Sequence, residues 1–122
     1  MENVLIVDDN LLFRKLLRQR LKCRFPSLII SEAKDAREAM EIMLTSRPDL
    51  VFMDIRLPDG NGLDLTCQIK RQHPEIRIVI VTNYDGPEYR HAAFRCKADH
   101  YLTKDTFMSL FSSFLPKLVL SP

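Results

Sequence analysis

Asp8-Asp9, Asp54, Thr82 and Lys104 are residues of this chain whose chemistries would complete one another if the fold brought them together. Three carboxylates in one place repel, and when ionised they need a counter-charge. Lys104 can supply one positive charge and a divalent cation the rest. A set of oxygen ligands, with no His or Cys at ligand spacing, favours Mg2+ over zinc. That ion is typically held by one or two carboxylates, waters and a phosphate oxygen. A carboxylate so placed can act as a nucleophile and form an aspartyl phosphate. Phosphoryl transfer then depends on positioning and charge neutralisation more than on covalent chemistry. Thr82 and Lys104 are the groups that would contact the phosphoryl oxygens.

Taken singly, each residue has an ordinary explanation. Asp8-Asp9 could cap a helix, where acidic side chains suit the macrodipole. Asp54 precedes Pro58-Asp59-Gly60 and could be turn chemistry. Thr and Lys are common at strand ends and surfaces, and Tyr101 could be half-buried packing. The elements around them decide the matter. Residues 4–7, 28–30, 50–53 and 78–81 are short apolar runs rich in β-branched side chains, as expected of parallel strands buried on both faces. Residues 100–103 make a weaker fifth. The first run ends in Asp8-Asp9, the third in Asp54 and the fourth in Thr82, and the fifth is followed by Lys104.

Helical spacing fills the gaps between these runs. Leu12, Leu16, Leu17 and Leu21 predict one face of a first helix with Phe13 at its margin, and Ala36, Ala39, Met40 and Met43 a face of the second. Asp35 and Glu38 read as a capping-box-like start. Leu63, Leu65 and Ile69 predict a third helix, entered through Pro58-Asp59-Gly60-Asn61-Gly62. A fourth is predicted over 89–97 and a fifth over 105–115, with Asp105 as N-cap and Pro116 as its stop. Strand–helix alternation repeated five times predicts a doubly wound (βα)5 fold, a five-stranded parallel sheet in a three-layer sandwich. In such sheets ligands sit outside the carboxyl ends of the strands. The carboxylates, the hydroxyl and the ammonium should therefore meet on one rim.

Length and composition fit one compact domain over residues 1–122, with no room for an output domain. Hydrophobic and charged fractions of 46% and 28% are those of a soluble globular chain. A net charge of +2 argues neither for nor against nucleic acid. No apolar run approaches a membrane span and no signal-peptide pattern opens the chain, so a cytoplasmic location is expected. Cys23, Cys67 and Cys96 are too few and too scattered for a disulfide framework or a zinc site, and are read as reduced, partly buried thiols.

Asp8-Asp9, Asp54 followed by Leu57-Pro58 and Gly62, Thr82, and Tyr101 followed by Lys104 together resemble CheY-like response regulator receiver domains, over essentially the whole chain. The stretch from Asp54 to Gly62, with Tyr101-Leu102-Thr103-Lys104-Asp105, is most similar to receivers of the NarL/FixJ type, which precede a DNA-binding helix-turn-helix. The resemblance implies the strand order 2-1-3-4-5 of flavodoxin-like folds. It implies a module of two-component signalling in which Asp54 takes a phosphoryl group from a histidine kinase or phosphotransfer protein. Such a module assists its own phosphorylation and turns over no metabolite. Asp9, Asp54 and the backbone carbonyl of Arg56 would be direct Mg2+ ligands, with Asp8 acting through water. Thr82 and Tyr101 would be the switch residues, reshaping the surface of the fourth helix, fifth strand and fifth helix toward an output, of which transcription is the expected kind.

Some residues depart from the family pattern. Asn83 stands where a small residue is usual after the Thr. Asp105 replaces a cis proline after Lys104, so a trans peptide is expected there. Arg56 and Tyr84 are bulky at positions that tune water access, which predicts a long-lived phosphoryl group. The basic first helix (Arg14, Lys15, Arg18, Arg20, Lys22 and Arg24) reads as a solvated face, or more sharply as the kinase-docking surface the family implies; direct nucleic-acid binding is not expected of it. The run of Phe107, Met108, Leu110, Phe111, Phe114, Leu115, Leu118, Val119 and Leu120 exceeds what one packed face needs, suggesting a homodimer contact or an output domain. Two rival readings remain. One is a phosphorylation-independent interaction platform, which the intact set of Asp54, Thr82 and Lys104 argues against and Asn83 keeps open. The other is an aspartyl-phosphate phosphatase of the haloacid-dehalogenase type, disfavoured because Asp54-Ile55-Arg56 lacks the second acid. Flavin or nucleotide binding lacks a Gly-rich phosphate loop.

Overall fold

The computed structural model describes residues 3–111. The order of elements is β1 (Asn3–Val7), α1 (Leu11–Arg24), β2 (Ile29–Ala33), α2 (Ala36–Thr45), β3 (Leu50–Met53), β4 (Arg56–Leu57), β5 (Gly60–Asn61), α3 (Gly62–Gln72), β6 (Arg77–Thr82), α4 (Pro87–Arg95), β7 (His100–Thr103) and α5 (Lys104–Ser109). Five strands form one parallel sheet in the order β2-β1-β3-β6-β7. Counting those five strands alone, this is the expected 2-1-3-4-5. The short antiparallel pair β4–β5, Arg56 opposite Asn61, was not foreseen; it lies within the segment read as a turn.

Continuous apolar strands require cover on both faces, and two clusters supply it. On one side Val4, Ile6, Phe52, Val79 and Val81 pack with Leu17 and Leu21 of α1 and Phe107 of α5. On the other, Leu5, Val7, Val51, Met53, Ile78 and Ile80 pack with Ala39 of α2, Leu63, Leu65 and Ile69 of α3, and Ala93 of α4. Within α2, Asp35 accepts from Glu38 N–H while the Glu38 carboxylate accepts from Lys34 N–H. Asp59, from the β4–β5 turn, adds a second cap by accepting from Ala36 and Arg37 N–H at 2.8 and 3.0 Å. Those two bonds hold its carboxyl below the usual range.

The structure corrects several local expectations. The buried stripe of α1 is Leu17 and Leu21 with Phe13 half-buried, whereas Leu12 is 79% exposed and Leu16 also faces solvent. Arg14 and Arg18 are not simply solvated: both pair with Glu32 of β2, at 3.0 and 2.6 Å. Helix α4 spans Pro87–Arg95, starting at Gly86-Pro87 because Pro suits the first helical position. Helix α5 begins at Lys104, one residue earlier than expected, because Thr103 rather than Asp105 accepts from Thr106 N–H as the N-cap. No peptide among the described residues is cis, so the 104–105 bond is trans as expected. Phe114, Leu115, Pro116, Leu118, Val119 and Leu120 lie outside the described residues. Cys67 and Cys96 are not free thiols but a disulfide between α3 and the end of α4, while Cys23 is free and exposed. Their 29-residue separation hides a closeness that only helix packing creates. No helix of the described residues is long and apolar enough to cross a membrane.

Candidate functional site

At the carboxyl end of the sheet, Asp8 follows β1 and Asp54 follows β3, held in register because Asp54 N–H donates to Val7 C=O at 2.9 Å. Carboxylate oxygens of Asp8, Asp9 and Asp54 lie within 4.8 Å of one another. Asp8 is 1% exposed and Asp54 8%, whereas Asp9 is open to solvent. Helix α1 does not depend on these acids for its cap, because Asn10 accepts from Phe13 N–H at 3.0 Å. The helix-capping explanation of Asp8-Asp9 therefore falls away.

Lys104, the first residue of α5, brings its ammonium 2.9 Å from Asp8 Oδ2 and 3.5 Å from Asp54 Oδ2. The ammonium lies over the Phe13 ring at 4.5 Å, a cation–π contact from the α1 side. Burial alone would lower the Lys104 pKa, but the two carboxylates outweigh it and the net shift is upward. Burial is also the main cause of the raised pKa of Asp8, opposed by Asn10 N–H and by Lys104. No hydrogen-bond donor is aligned on the buried Asp8 Oδ2, which the ammonium meets only as an ion-pair partner. Two buried acids and an exposed one, with one ammonium between them, leave negative charge uncompensated. A hard cation fits that deficit and the all-oxygen donor set.

Gly62 closes the wall behind Asp54. Its N–H donates to Ile55 C=O at 2.6 Å, and a Cβ there would lie 1.8 Å from the Asp54 carbonyl oxygen. Only glycine permits α3 to start this close to the strand. Asp54 Oδ1 accepts from Ile55 N–H at 2.8 Å, leaving Oδ2 toward Lys104.

Thr82 ends β6, fully buried. Its hydroxyl oxygen accepts from Tyr84 N–H at 3.3 Å, and the carbonyl of Tyr84 accepts from the Tyr101 hydroxyl. The backbone N–H and C=O of one residue, Tyr84, thus link the two hydroxyl residues singled out as a switch. Sequence reasoning missed this bridge because backbone atoms carry it. Burial pushes the Tyr101 phenol up to about 12, so it stays a donor. Arg90 of α4 lies over the Tyr101 ring at 4.7 Å and pairs with Asp85. Arg56 projects from β4 over the Tyr84 ring at 4.4 Å, and Tyr84 in turn packs on Tyr89. The bulky pair expected near the site, Arg56 and Tyr84, therefore forms one stacked rim. Asn83 is exposed beside it.

The chain belongs to the response regulator receiver domain family, whose pattern matches residues 4–112. It is 34% identical over 105 residues to the DNA-binding transcriptional activator DevR/DosR of Mycobacterium tuberculosis, covering 86% of this chain and 48% of that protein. It is 37% identical over 103 residues to the chemotaxis protein CheY of Halobacterium salinarum, covering 84% of each. A crystal structure of a LuxR-family two-component response regulator from an Aurantimonas species superposes with a TM-score of 0.78 at 30% identity, over 93% of this chain and 84% of that one. The chain spans under half the length of several curated relatives it matches, 48% of DevR/DosR and 42% of a sensory transduction protein LytT of Bacillus subtilis. It is a receiver domain of two-component signal transduction.

Proposed function

We propose that this receiver is switched by phosphorylation of Asp54 in a Mg2+-dependent reaction, and that it turns over no metabolite. The convergence of Asp8, Asp9 and Asp54 opposite Lys104 carries this reading. Asp9, Asp54 and the backbone carbonyl of Arg56 would hold the ion, with Asp8 oriented toward its waters. When bound, the ion supplies positive charge against the phosphoryl oxygens.

An Asp54 carboxylate oxygen attacks phosphorus, the bond from phosphorus to the donor's leaving atom breaks, and the leaving group departs with that electron pair. Lys104, already 3.5 Å from Asp54, neutralises charge that develops on the transferred group. Thr82 has its hydroxyl proton to offer to a phosphoryl oxygen, because its oxygen already serves Tyr84 N–H. A shift of Thr82 toward the phosphate pulls on the Tyr84 peptide and, through its carbonyl, on Tyr101. The α4–β7–α5 surface then changes, a local charge event biasing a two-state element.

The phosphodonor would be a histidine kinase or phosphotransfer protein meeting α1, whose exposed Leu12 and Leu16 lie among basic residues. The output would be transcriptional, as the name of DevR/DosR states for that relative, reached through α5 as a homodimer or an attached domain. The stacked Arg56 and Tyr84 would slow hydrolysis by covering the approach to Asp54.

Intact mass after incubation with acetyl phosphate tests the reaction. A phosphate-sized gain that requires Mg2+ and vanishes in Asp54→Asn is the expected outcome. No gain, with acetyl phosphate or with a panel of histidine kinases, would favour a phosphorylation-independent platform.

A further inference from the structure

Helix α4 is poorly anchored, and one covalent bond ties it down. Of its nine residues only Ala93 is buried, and its N-cap Gly86 offers no side-chain bond. Helix α3 buries Gly62, Leu63, Leu65, Thr66 and Ile69. The Cys67–Cys96 disulfide joins the firm helix to the loose one, with 4.4 Å between the two Cα atoms.

The end of α4 is shaped to present Cys96. Ala98 N–H donates to Ala93 C=O and Lys97 N–H to Phe94 C=O, a closing turn that puts Lys97 in the left-handed region at φ 67°. Both sulfur-bearing residues are only half-buried. They line an open groove of about 600 Å³ whose other walls include Lys70, Arg71, Arg95 and Lys97. Lys70 is engaged by Asp99 at 2.7 Å, while Arg95 and Lys97 are exposed. Positive surroundings favour thiolate over thiol and draw anionic thiols to the disulfide.

We propose that Cys67 and Cys96 are a reversible dithiol–disulfide couple, exchanging with a small anionic thiol of the glutathione type, whose closure ties α4 to α3. In the opening direction a thiolate attacks one of the two sulfurs, the Cys67–Cys96 bond breaks, and the displaced sulfur leaves as a thiolate that takes a proton. A second thiolate attacks the mixed disulfide, freeing the other cysteine and releasing the small disulfide. Two electrons and two protons pass from two small thiols to the protein. Closure is the reverse, with the small disulfide as oxidant. Because α4 carries Arg90, which lies on Tyr101, the couple sets how far the responding face can move, independently of Asp54 chemistry.

The test uses the whole chain as Cys23→Ser in an Asp54→Asn background, so that phosphorylation plays no part. Protein equilibrated in reduced or oxidised glutathione is quenched with N-ethylmaleimide and weighed intact. The expected result is both adducts in the reduced buffer and none in the oxidised one, reversibly. Amide hydrogen exchange should then be faster across α4 in the reduced form, on the order of tenfold, with α3 unchanged. Cys67→Ser should match the reduced form in either buffer. Cysteines that stay alkylatable in oxidised glutathione, or equal α4 exchange in the two forms, would overturn the proposal.

Discussion

Helices α3 and α4 flank the same strand, β6, yet one is built as a wall and the other as a shutter. Helix α3 is capped by Asn61, which accepts from Leu63 N–H at 2.7 Å, and it buries three large aliphatic side chains. Each such burial contributes about 1.5–3 kcal/mol. Helix α4 buries one alanine and leaves Phe94 82% exposed. Its remaining hold comes from the half-buried Tyr89 and Ala92 on the core, from Arg90 with Asp85 and Tyr101, from Tyr89 with Tyr84, and from the Cys67–Cys96 disulfide at its end. The firm helix starts at Gly62, directly behind the acid that would react; the loose one follows the loop that carries the response. A site needs fixed geometry and a switch needs two states of similar energy. The same sheet supplies both by unequal packing.

The largest expected effect is a pair of glycine substitutions. Gly62→Ala places a Cβ 1.8 Å from the Asp54 carbonyl oxygen, backbone that cannot yield. It should cost at least about 3 kcal/mol and displace Asp54. Gly86→Ala meets only the Glu88 carboxylate, the far end of a flexible side chain, at 2.5 Å. It should cost under about 1 kcal/mol. Urea midpoints of the two variants measure the contrast directly, and equal losses would break it. Side-chain deletion makes the same comparison less severely. Ile69→Ala in α3 should cost about 2–5 kcal/mol, whereas Phe94→Ala in α4 should stay within about 0.5 kcal/mol.

These contrasts could be read only in part from the sequence. Continuous apolar runs marked four of the five main strands and a weaker run the fifth, and the residues at their ends marked the acidic rim, because strand ends and ligand sites coincide in a parallel sheet. The exposed stripe of α1 was misjudged because leucines at 11, 12, 16, 17 and 21 offer two adjacent stripes, and periodicity does not say which faces the sheet. Arg14 and Arg18 seemed solvated because their partner Glu32 lies on another element. The Thr82–Tyr84–Tyr101 bridge runs through the backbone N–H and C=O of Tyr84, so no residue type announces it. The weak hold on α4 was invisible for a related reason. Its alanines and aromatics look like core until burial is measured.

Tyr101→Phe probes the shutter alone. Losing the hydroxyl removes its bond to Tyr84 C=O and should cost about 1 kcal/mol. The larger consequence should be faster amide exchange through the loop before α4. The folded-state pKa of about 12 also predicts a direction with pH. A raised value means the folded state holds the phenolic proton more tightly. This contribution is fully present below about 10, the ordinary tyrosine value. It is lost as pH rises from there toward about 12. Wild type should therefore lose more stability than Tyr101→Phe over that range. Parallel curves would mean that burial does not hold the phenolic proton in the folded state.

A small effect of opposite sign should come at the far end of α4. Lys97 sits at φ 67°, where a β-carbon crowds the backbone and glycine does not. Helix α3 has no such residue, since its C-cap His73 is at φ −140°. Lys97→Gly should therefore stabilise the domain by about 0.5–1 kcal/mol, a gain read as a higher thermal midpoint. The same substitution removes one cation from the groove beside Cys96, so reduction by glutathione should slow even as the fold becomes more stable. A gain in stability with unchanged exchange would mean that the lysine is only a strained cap. A slower exchange would mean that the strain is retained for the charge it places next to the sulfur.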